Sequence, residues 1–324
     1  MIERTPTPFD DALEDLRISG SVLLYETYLP PWAIDVPDEA FLKRLLDVGT
    51  ATRVLPFHLV RRGAFHLSQE GHELARVEAD EIAICPAGLA HRMALGAGAK
   101  PVLMTDVLQG RNPGRDPATV EDRSGGTELI CGVFQMRSTP MNPMLAALPP
   151  VLTVKTTGAD ANPLLAHAAQ MLGLEVANGR RGSFTALRLL EVFCAEAIRS
   201  YRERQGAARP GWFKALDDAR IGPAIEQIHR RPGAPWTVAM LADTVAMSPS
   251  RFAARFRETT GESAMSYVAS WRMNVACRAL QESDDGLQEI AASVGYQDVA
   301  AFSRAFKEIV GDSPSRWRAG RRPS

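Results

Sequence analysis

The chain has 324 residues, 45% of them hydrophobic and 23% charged, with a formal net charge of -1; this is an ordinary globular composition, long enough for two domains. No apolar run reaches the ~18 residues needed to span a bilayer, and Met1-Ile2-Glu3-Arg4-Thr5-Pro6 lacks the basic and apolar blocks of a signal peptide. A cytoplasmic protein with no membrane partner is therefore expected, and the four scattered cysteines, Cys85, Cys131, Cys194 and Cys277, read as reduced, mostly buried thiols. Residues 20 to 155 are β-rich. Short apolar stretches at 21–28, 54–60, 64–67, 81–85, 102–108 and 128–135 are separated by Gly, Pro and polar clusters, which predicts a barrel or sandwich. The pattern changes near Asp160. Asn162-Pro163 starts one helix and Ser183 caps a second, with Gly179 to Gly182 between them, a helical hairpin. Residues 202–210 read as a polar linker, and from Trp212 onward the pattern is helical throughout.

The helical part holds fifteen Lys and Arg against thirteen Asp and Glu, a slight basic excess. The stronger signal there is an internal repeat. Leu241-Ala242 matches Ile290-Ala291, and Val245 matches Val294. After a one-residue offset, Phe252 and Phe256 match Phe302 and Phe306, Arg257-Glu258 matches Lys307-Glu308, Gly261 matches Gly311, Ser263 matches Ser313 and Tyr267 matches Trp317. Each copy reads as helix, tight turn, helix. Thr237, Ser248 and Asp298 are the candidate N-caps, and Gly261 and Gly311 the C-cap glycines. The paired phenylalanines lie four apart on one face. The opposite face is polar or small: Ser250, Arg251, Ala253, Ala254 and Arg257 in the first copy, and Gln297, Ala300, Ser303, Arg304 and Lys307 in the second. A DNA-reading helix-turn-helix needs that division, because its second helix lies in the major groove. The helix between the copies, about 25 Å long at ~1.5 Å per residue, would space two reading helices toward adjacent major-groove faces ~34 Å apart. RNA recognition, which usually uses aromatic stacking platforms, does not fit aromatics placed as helix cores.

From Trp236 to Arg318 the chain resembles the DNA-binding domain of the AraC/XylS family. The matching residues are Ala246-Met247-Ser248-Pro249-Ser250-Arg251-Phe252, Arg255-Phe256, Thr260-Gly261, Ile290-Ala291, Val294-Gly295-Tyr296, Phe302-Ser303-Arg304-Ala305-Phe306-Lys307, Gly311, Pro314 and Trp317-Arg318. The resemblance implies sequence-specific control of transcription on double-stranded operator or promoter DNA. Family members often place Arg where this chain has Ala254, and only the second unit keeps it, as Arg304. With Ala253 equally mute, the first unit is expected to read thymine methyls or DNA shape.

The run Leu55-Pro56-Phe57-His58 to Gly63, followed by Ala79-Asp80-Glu81 through Cys85-Pro86-Ala87-Gly88-Leu89-Ala90-His91, resembles a cupin barrel. The resemblance implies a sensor for a small-molecule effector. Cupin enzymes hold a metal with a His-x-His, a Glu and a further His; this chain lacks the His-x-His. His58, His66, His72, Glu73 and His91, with Cys85 or Cys131, remain as loose candidates. The expectation is that His58 and His91 face inward and anchor the effector, with no metal and no cofactor assigned; a cupin metalloenzyme fused to a DNA-binding module is the alternative. His167 and His229 read as surface or core residues. The predicted fold is α+β and multidomain. A cupin-like β-barrel sensor spans residues 1–158, a helical hairpin and linker 159–210, and an all-α domain with two helix-turn-helix units 211–324. The hairpin, led by Leu165, Leu172, Leu190 and Phe193, carries more apolar surface than a hairpin can bury alone and is expected to form a homodimer contact. A non-enzymatic regulator is expected, with RNA polymerase as a further candidate partner.

Overall fold

A computed structural model of the chain describes residues 7–49, 52–114, 125–137, 142–159, 161–205 and 211–319. Among the described residues, ten strands form two five-stranded sheets. They are β1 (Ile18–Tyr28), β2 (Trp32–Val36), β3 (Thr52–Arg62), β4 (Ala64–Gln69), β5 (His72–Glu78), β6 (Glu81–Ile84), β7 (His91–Leu95), β8 (Val102–Leu103), β9 (Thr127–Arg137) and β10 (Leu152–Lys155). One sheet runs β1-β9-β3-β6-β10 and the other β5-β4-β7-β2-β8. The β2–β8 pair is parallel and the other pairs are antiparallel, the double-sheet arrangement that cupins share with jelly rolls.

Strand β3 shows why the apolar run at 54–60 is unbroken. Val54 and Val60 belong to the core between the sheets, with Trp32, Phe65, Val77 and Met93. The alternate residues Leu55, Phe57 and Leu59 belong to a second core on the outer face. A strand covered on both faces has no polar side to alternate with. Gly132 on β9 lies directly opposite Phe57; a Cβ there would stand 2.2 Å from the Ser21 carbonyl and 2.7 Å from the Phe57 ring, so only glycine admits that approach.

Two helices cover this outer face: α5 (Pro163–Ala177), capped by the Asn162 side chain, and α6 (Phe184–Gln205), capped by Ser183. Here the hairpin expectation is corrected. Leu165, Leu172, Leu190 and Phe193 are fully buried within the chain, in one core with β3, β6, β9 and β10, and are not free for a partner. The surface they cover was the sheet's own outer face. Residues 202–205 continue α6 rather than opening a linker; residues 206–210 of that expectation lie outside the described residues. The predicted strand at 102–108 also changes type after Leu103. It becomes α3 (Met104–Leu108), which buries Met104 and Val107 three residues apart on one face.

Three more short helices escape the sequence pattern: α1 (Pro8–Asp15), α2 (Glu39–Leu45) and α4 (Pro143–Ala147). The first is a strut between the two halves of the chain. Phe9 is fully buried, with its ring 6.5 Å from Trp212 and 6.4 Å from Phe213, and the guanidinium groups of Arg199 and Arg202 lie over it at 5.0 and 4.9 Å. Asp15 pairs with Arg278, and Arg17 with Glu282 at 2.6 Å.

Trp212 opens an all-helical half: α7 (Trp212–Asp217), α8 (Ile221–Arg230), α9 (Val238–Thr244), α10 (Pro249–Thr260), α11 (Ala264–Glu282), α12 (Leu287–Ser293), α13 (Val299–Val310) and α14 (Pro314–Ala319). No helix among the described residues is long and apolar enough to cross a membrane.

Candidate nucleic-acid interface and barrel interior

The two repeat copies fold as two helix-turn-helix units, α9–α10 and α12–α13. Thr237 accepts a hydrogen bond from the Met240 amide, and Asp298 accepts from the amides of Ala300 and Ala301. Ser248 precedes Pro249 at the start of α10 without a side-chain cap bond. Both second helices stop at left-handed glycines, Gly261 (φ 90°) and Gly311 (φ 88°). Phe252, Phe256, Phe302 and Phe306 are fully buried, and the rings pair at 5.6 Å in the first unit and 5.7 Å in the second. Helix α11, 19 residues long and so about 28 Å, joins the units.

With the phenylalanines turned inward, the opposite faces of α10 and α13 meet solvent. Ser250, Arg251, Ala254 and Arg257 are exposed on the first, and Ala300, Arg304 and Lys307 on the second, with Gln297 exposed just before its N-cap; Ala253 and Ser303 are half-buried at the edges. Arg255 stands apart from this set. Its guanidinium is held by Asp218 at 2.9 Å, and the pairing lifts its already high pKa, so it ties α10 to the end of α7. Arg220 does similar work, donating to the Val245 carbonyl at 3.0 Å. Arg272 on α11 donates to the carbonyls of Pro232 and Ala234 at 2.8 and 2.7 Å and packs beside the Gly295 turn. These three arginines hold the units in place. Their spacing in sequence does not separate them from arginines that face solvent, because their acceptors come from distant segments.

His58 on β3 and His91, the first residue of β7, are both buried, and their Nε2 atoms lie 2.9 Å apart. The geometry follows from the chain path. β6 belongs to the first sheet and β7 to the second, so residues 86–90 cross between sheets. A turn closed by the Gly88 amide on the Cys85 carbonyl makes that crossing short. The Cys85 amide donates to Pro56 on β3 at 2.9 Å, which sets Cys85 beside His58. The result is a cluster of His58, Cys85 and His91 whose candidate ligand atoms all lie within 4.8 Å of one another. Cys85 Sγ is 3.8 Å from His91 Nε2. Cys131 stands directly across the β3–β9 ladder from His58.

Burial governs the charge of this cluster. It pushes His58 well below the usual imidazole range, with the neighbouring His91 adding to the shift. It lowers His91 too, against an opposing hydrogen bond to the Leu89 carbonyl. It pushes the Cys85 thiol up to about 12 and raises Cys131 as well. All are neutral at pH 7. The other loose candidates are elsewhere. His66 and Glu73 pair at 3.1 Å on the exposed face of the β4–β5 hairpin, and His72 is exposed beside them. His167 is exposed, its ring nitrogen at 2.6 Å from the Pro163 carbonyl. His229 is buried, its Nε2 2.8 Å from the Tyr267 hydroxyl and its ring stacked on Trp271 with centroids 3.5 Å apart. Cys85 is the member that sequence reasoning left unplaced. The signal for it is the Cys-Pro-x-Gly-x-x-His spacing, which becomes meaningful once the turn is known to bridge two sheets.

Comparison with known proteins finds two matched regions. Residues 7–203 match the cupin family, and residues 241–320 match a helix-turn-helix domain family. An AraC-like transcription regulator of Streptomyces lividans is 35% identical over 191 residues, 59% of this chain and 62% of that protein; a second, from Streptomyces antibioticus, is matched over 63% of its length. The alignments thus span about six-tenths of these relatives. The HTH-type transcriptional regulator AlkR of Acinetobacter baylyi is 25% identical over 313 residues, 94% of this chain and 96% of that one. Among solved structures, the DNA-binding domain of AdpA in complex with a target DNA is 28% identical, covering 30% of this chain and 88% of that one with a TM-score of 0.30. The chain therefore belongs to the cupin family through residues 7–203 and carries an AraC-type helix-turn-helix domain behind it.

Proposed function

We infer that this protein is a sequence-specific DNA-binding transcription regulator of the AraC/XylS type, controlled by an effector bound in the barrel at His58 and His91. The observation that carries the reading is the duplicated helix-turn-helix. Two units with matching buried cores present solvent-exposed reading faces, and their cationic side chains Arg251, Arg257, Arg304 and Lys307 are exposed. The DNA-binding set is Ser250, Arg251, Ala253, Ala254, Arg257, Gln297, Ala300, Ser303, Arg304 and Lys307. In this reading residues 1–158 sense, 159–210 mediate dimerisation and 211–324 bind operator DNA, in the cytoplasm and without turnover of a substrate. RNA polymerase is the partner through which a bound regulator acts.

The dimer proposal rests on a stripe other than the one the sequence suggested. On α5 the solvent side carries Leu164, Met171 and Leu174, exposed by 62, 49 and 59%, at a spacing of seven and three residues that repeats the seam of a two-helix coiled coil.

Mapping genomic sites occupied by the protein identifies an operator, and titrating it against a scrambled duplex at one salt concentration tests the reading. Arg304→Ala is expected to weaken operator binding by about 1–3 kcal/mol while leaving the scrambled duplex nearly unchanged, as loss of a bidentate guanine contact would. An equal loss on both duplexes would reduce Arg304 to a phosphate contact, and no preference for any sequence would remove the reading altogether.

A further inference from the structure

We propose that His58, Cys85 and His91 form a binding site for a thiophilic metal ion of closed d-shell, and that this ion is the effector; the second half rests on the regulator function inferred above. Three donors of the right kind converge at one buried point. The Nε2 atoms of the two imidazoles are 2.9 Å apart, Cys85 Sγ is 3.8 Å from His91 Nε2, and all three candidate atoms lie within 4.8 Å of one another. Ions bound at ~2.0–2.1 Å to nitrogen and ~2.3 Å to sulfur hold their ligand atoms about 3.3–3.8 Å apart. Opening the imidazole pair by about half an ångström and closing Cys85 on His58 from within 4.8 Å to the same range completes the geometry.

The second sphere is already in place. His91 Nδ1 donates to the Leu89 carbonyl at 3.0 Å, which leaves the proton on Nδ1 and turns the Nε2 lone pair toward His58 and Cys85. A backbone carbonyl on the far nitrogen is the usual way a ligating histidine is held in register. His58, fully enclosed, has no partner for its Nδ1 among the described residues. Two neutral imidazoles facing each other in an apolar interior can share only one hydrogen bond between their Nε2 atoms, whereas an ion between them uses both lone pairs.

Enclosure also narrows the class of ligand. His58, Cys85 and His91 are all buried, and the cavity beside His58, lined also by Cys131, Met93 and Met104, has a volume of about 10 Å³, about the space of one water. A bare ion suits so closed a point. Imidazole and thiolate without a carboxylate suit soft or borderline ions rather than magnesium or calcium. Charge balance then separates the candidates, since net charge in a dry core is costly. With Cys85 as thiolate, a monovalent ion, copper(I), gives a neutral three-coordinate site. Zinc(II) needs a second thiolate; Cys131, across the ladder from His58 but outside the 4.8 Å group, would have to turn toward the ion to supply it. In either form binding releases the Cys85 proton and draws β3 and the β6–β7 turn together. Because β3 underlies α6 through the shared outer core, that movement is transmitted toward the DNA-binding half.

The test uses reduced, metal-free, full-length protein titrated with zinc(II) and, without oxygen, with copper(I) against a chromogenic chelator, the bound metal being counted by elemental analysis. One equivalent is expected. Cys85→Ser and His91→Gln should each weaken it by more than the ~10–100-fold typical of second-sphere changes, and Cys194→Ser, in the distant outer core, should not. Cys131→Ser should weaken zinc and spare copper(I). Wild-type protein loaded with cobalt(II) should show thiolate-to-metal charge transfer, a readout that does not depend on any variant folding. Absence of a stoichiometric ion of either kind overturns the site, and absence of the cobalt thiolate band overturns its zinc form. Equal operator affinity of loaded and metal-free protein overturns the ion as effector. Failure to bind any operator in either state overturns the regulator reading, while the metal stoichiometry still reports on the site.

Discussion

The turn inside each helix-turn-helix needs one residue in the left-handed region, and the two copies meet that need differently. Ala246 holds φ 52° in the first and Gly295 holds φ 85° in the second. An L-residue there costs roughly 1–2 kcal/mol, so Ala246→Gly is expected to stabilise the first unit slightly. The reverse change is worse than φ alone requires. A Cβ on Gly295 would stand 2.8 Å from the Gly233 carbonyl oxygen and 3.0 Å from Arg272 Nη2, displacing the arginine that ties α11 to residues 232 and 234. Gly295→Ala should therefore cost about 2 kcal/mol or more in denaturant titrations, and a cost under 1 kcal/mol would mean that this turn tolerates the closer approach. The repeat alignment identifies the position; only the folded neighbours make the two copies unequal.

Among the helices, the buried phenylalanines separate two units that look alike in sequence. Phe252 and Phe256 share one continuous core with α1, α5, α6, α7 and α8, whereas Phe302 and Phe306 sit in a separate cluster with α11, α12 and Trp317. Truncating a buried phenylalanine costs ~3–5 kcal/mol. Phe256→Ala should lower the main calorimetric transition, and Phe306→Ala should instead detach the second unit as an earlier, smaller transition. Identical thermograms for the two variants would refute this separation. The α5 stripe makes a distinct claim about association. Met171→Glu and Leu174→Glu face solvent in the single chain, so they should leave the melting temperature nearly unchanged while weakening self-association by tenfold or more. Light scattering checks this, and a wild-type protein that is monomeric at micromolar concentration removes the dimer proposal.

The two halves are coupled through their shared core and through the α1 strut with its Asp15–Arg278 and Arg17–Glu282 pairs. At the centre of the DNA-binding half, His229 accepts from Tyr267, whose oxygen in turn accepts from Trp212 at 2.9 Å, so one buried imidazole knits α7, α8 and α11. Burial lowers its pKa to about 3. The folded protein keeps it neutral while the unfolded chain takes a proton below about pH 6.5. Stability is therefore full above that pH and falls on acidification from 6.5 toward 3, by up to about 1.4 kcal/mol per pH unit from this residue. His229→Phe should be less stable at pH 7, because the Tyr267 hydroxyl loses its acceptor, yet should show a shallower loss on acidification. Equal slopes in variant and wild type would assign the acid sensitivity to other groups.

Where periodicity and capping are local, the chain could be read without its fold. The repeat, the left-handed stops at Gly261 and Gly311, the Asn162-Pro163 start and the outward position of Arg304 each depend on residues within a few positions of one another. Strands β3 and β9 were legible for a related reason, since burial on both faces leaves their central residues mostly apolar. Strand β5, with only Val77 buried, was not, because an edge strand carries little hydrophobic signal. The remaining features depend on partners far apart in the chain. The hairpin's apolar faces gave no indication that the sheet beneath would cover them. Arg255 and Arg272 look like their solvent-facing neighbours until Asp218 and the carbonyls of Pro232 and Ala234 are brought to them. Cys85, His58 and His91 meet because a five-residue turn crosses from one sheet to the other, and side chains 6 and 33 residues apart become neighbours only when two sheets close on each other.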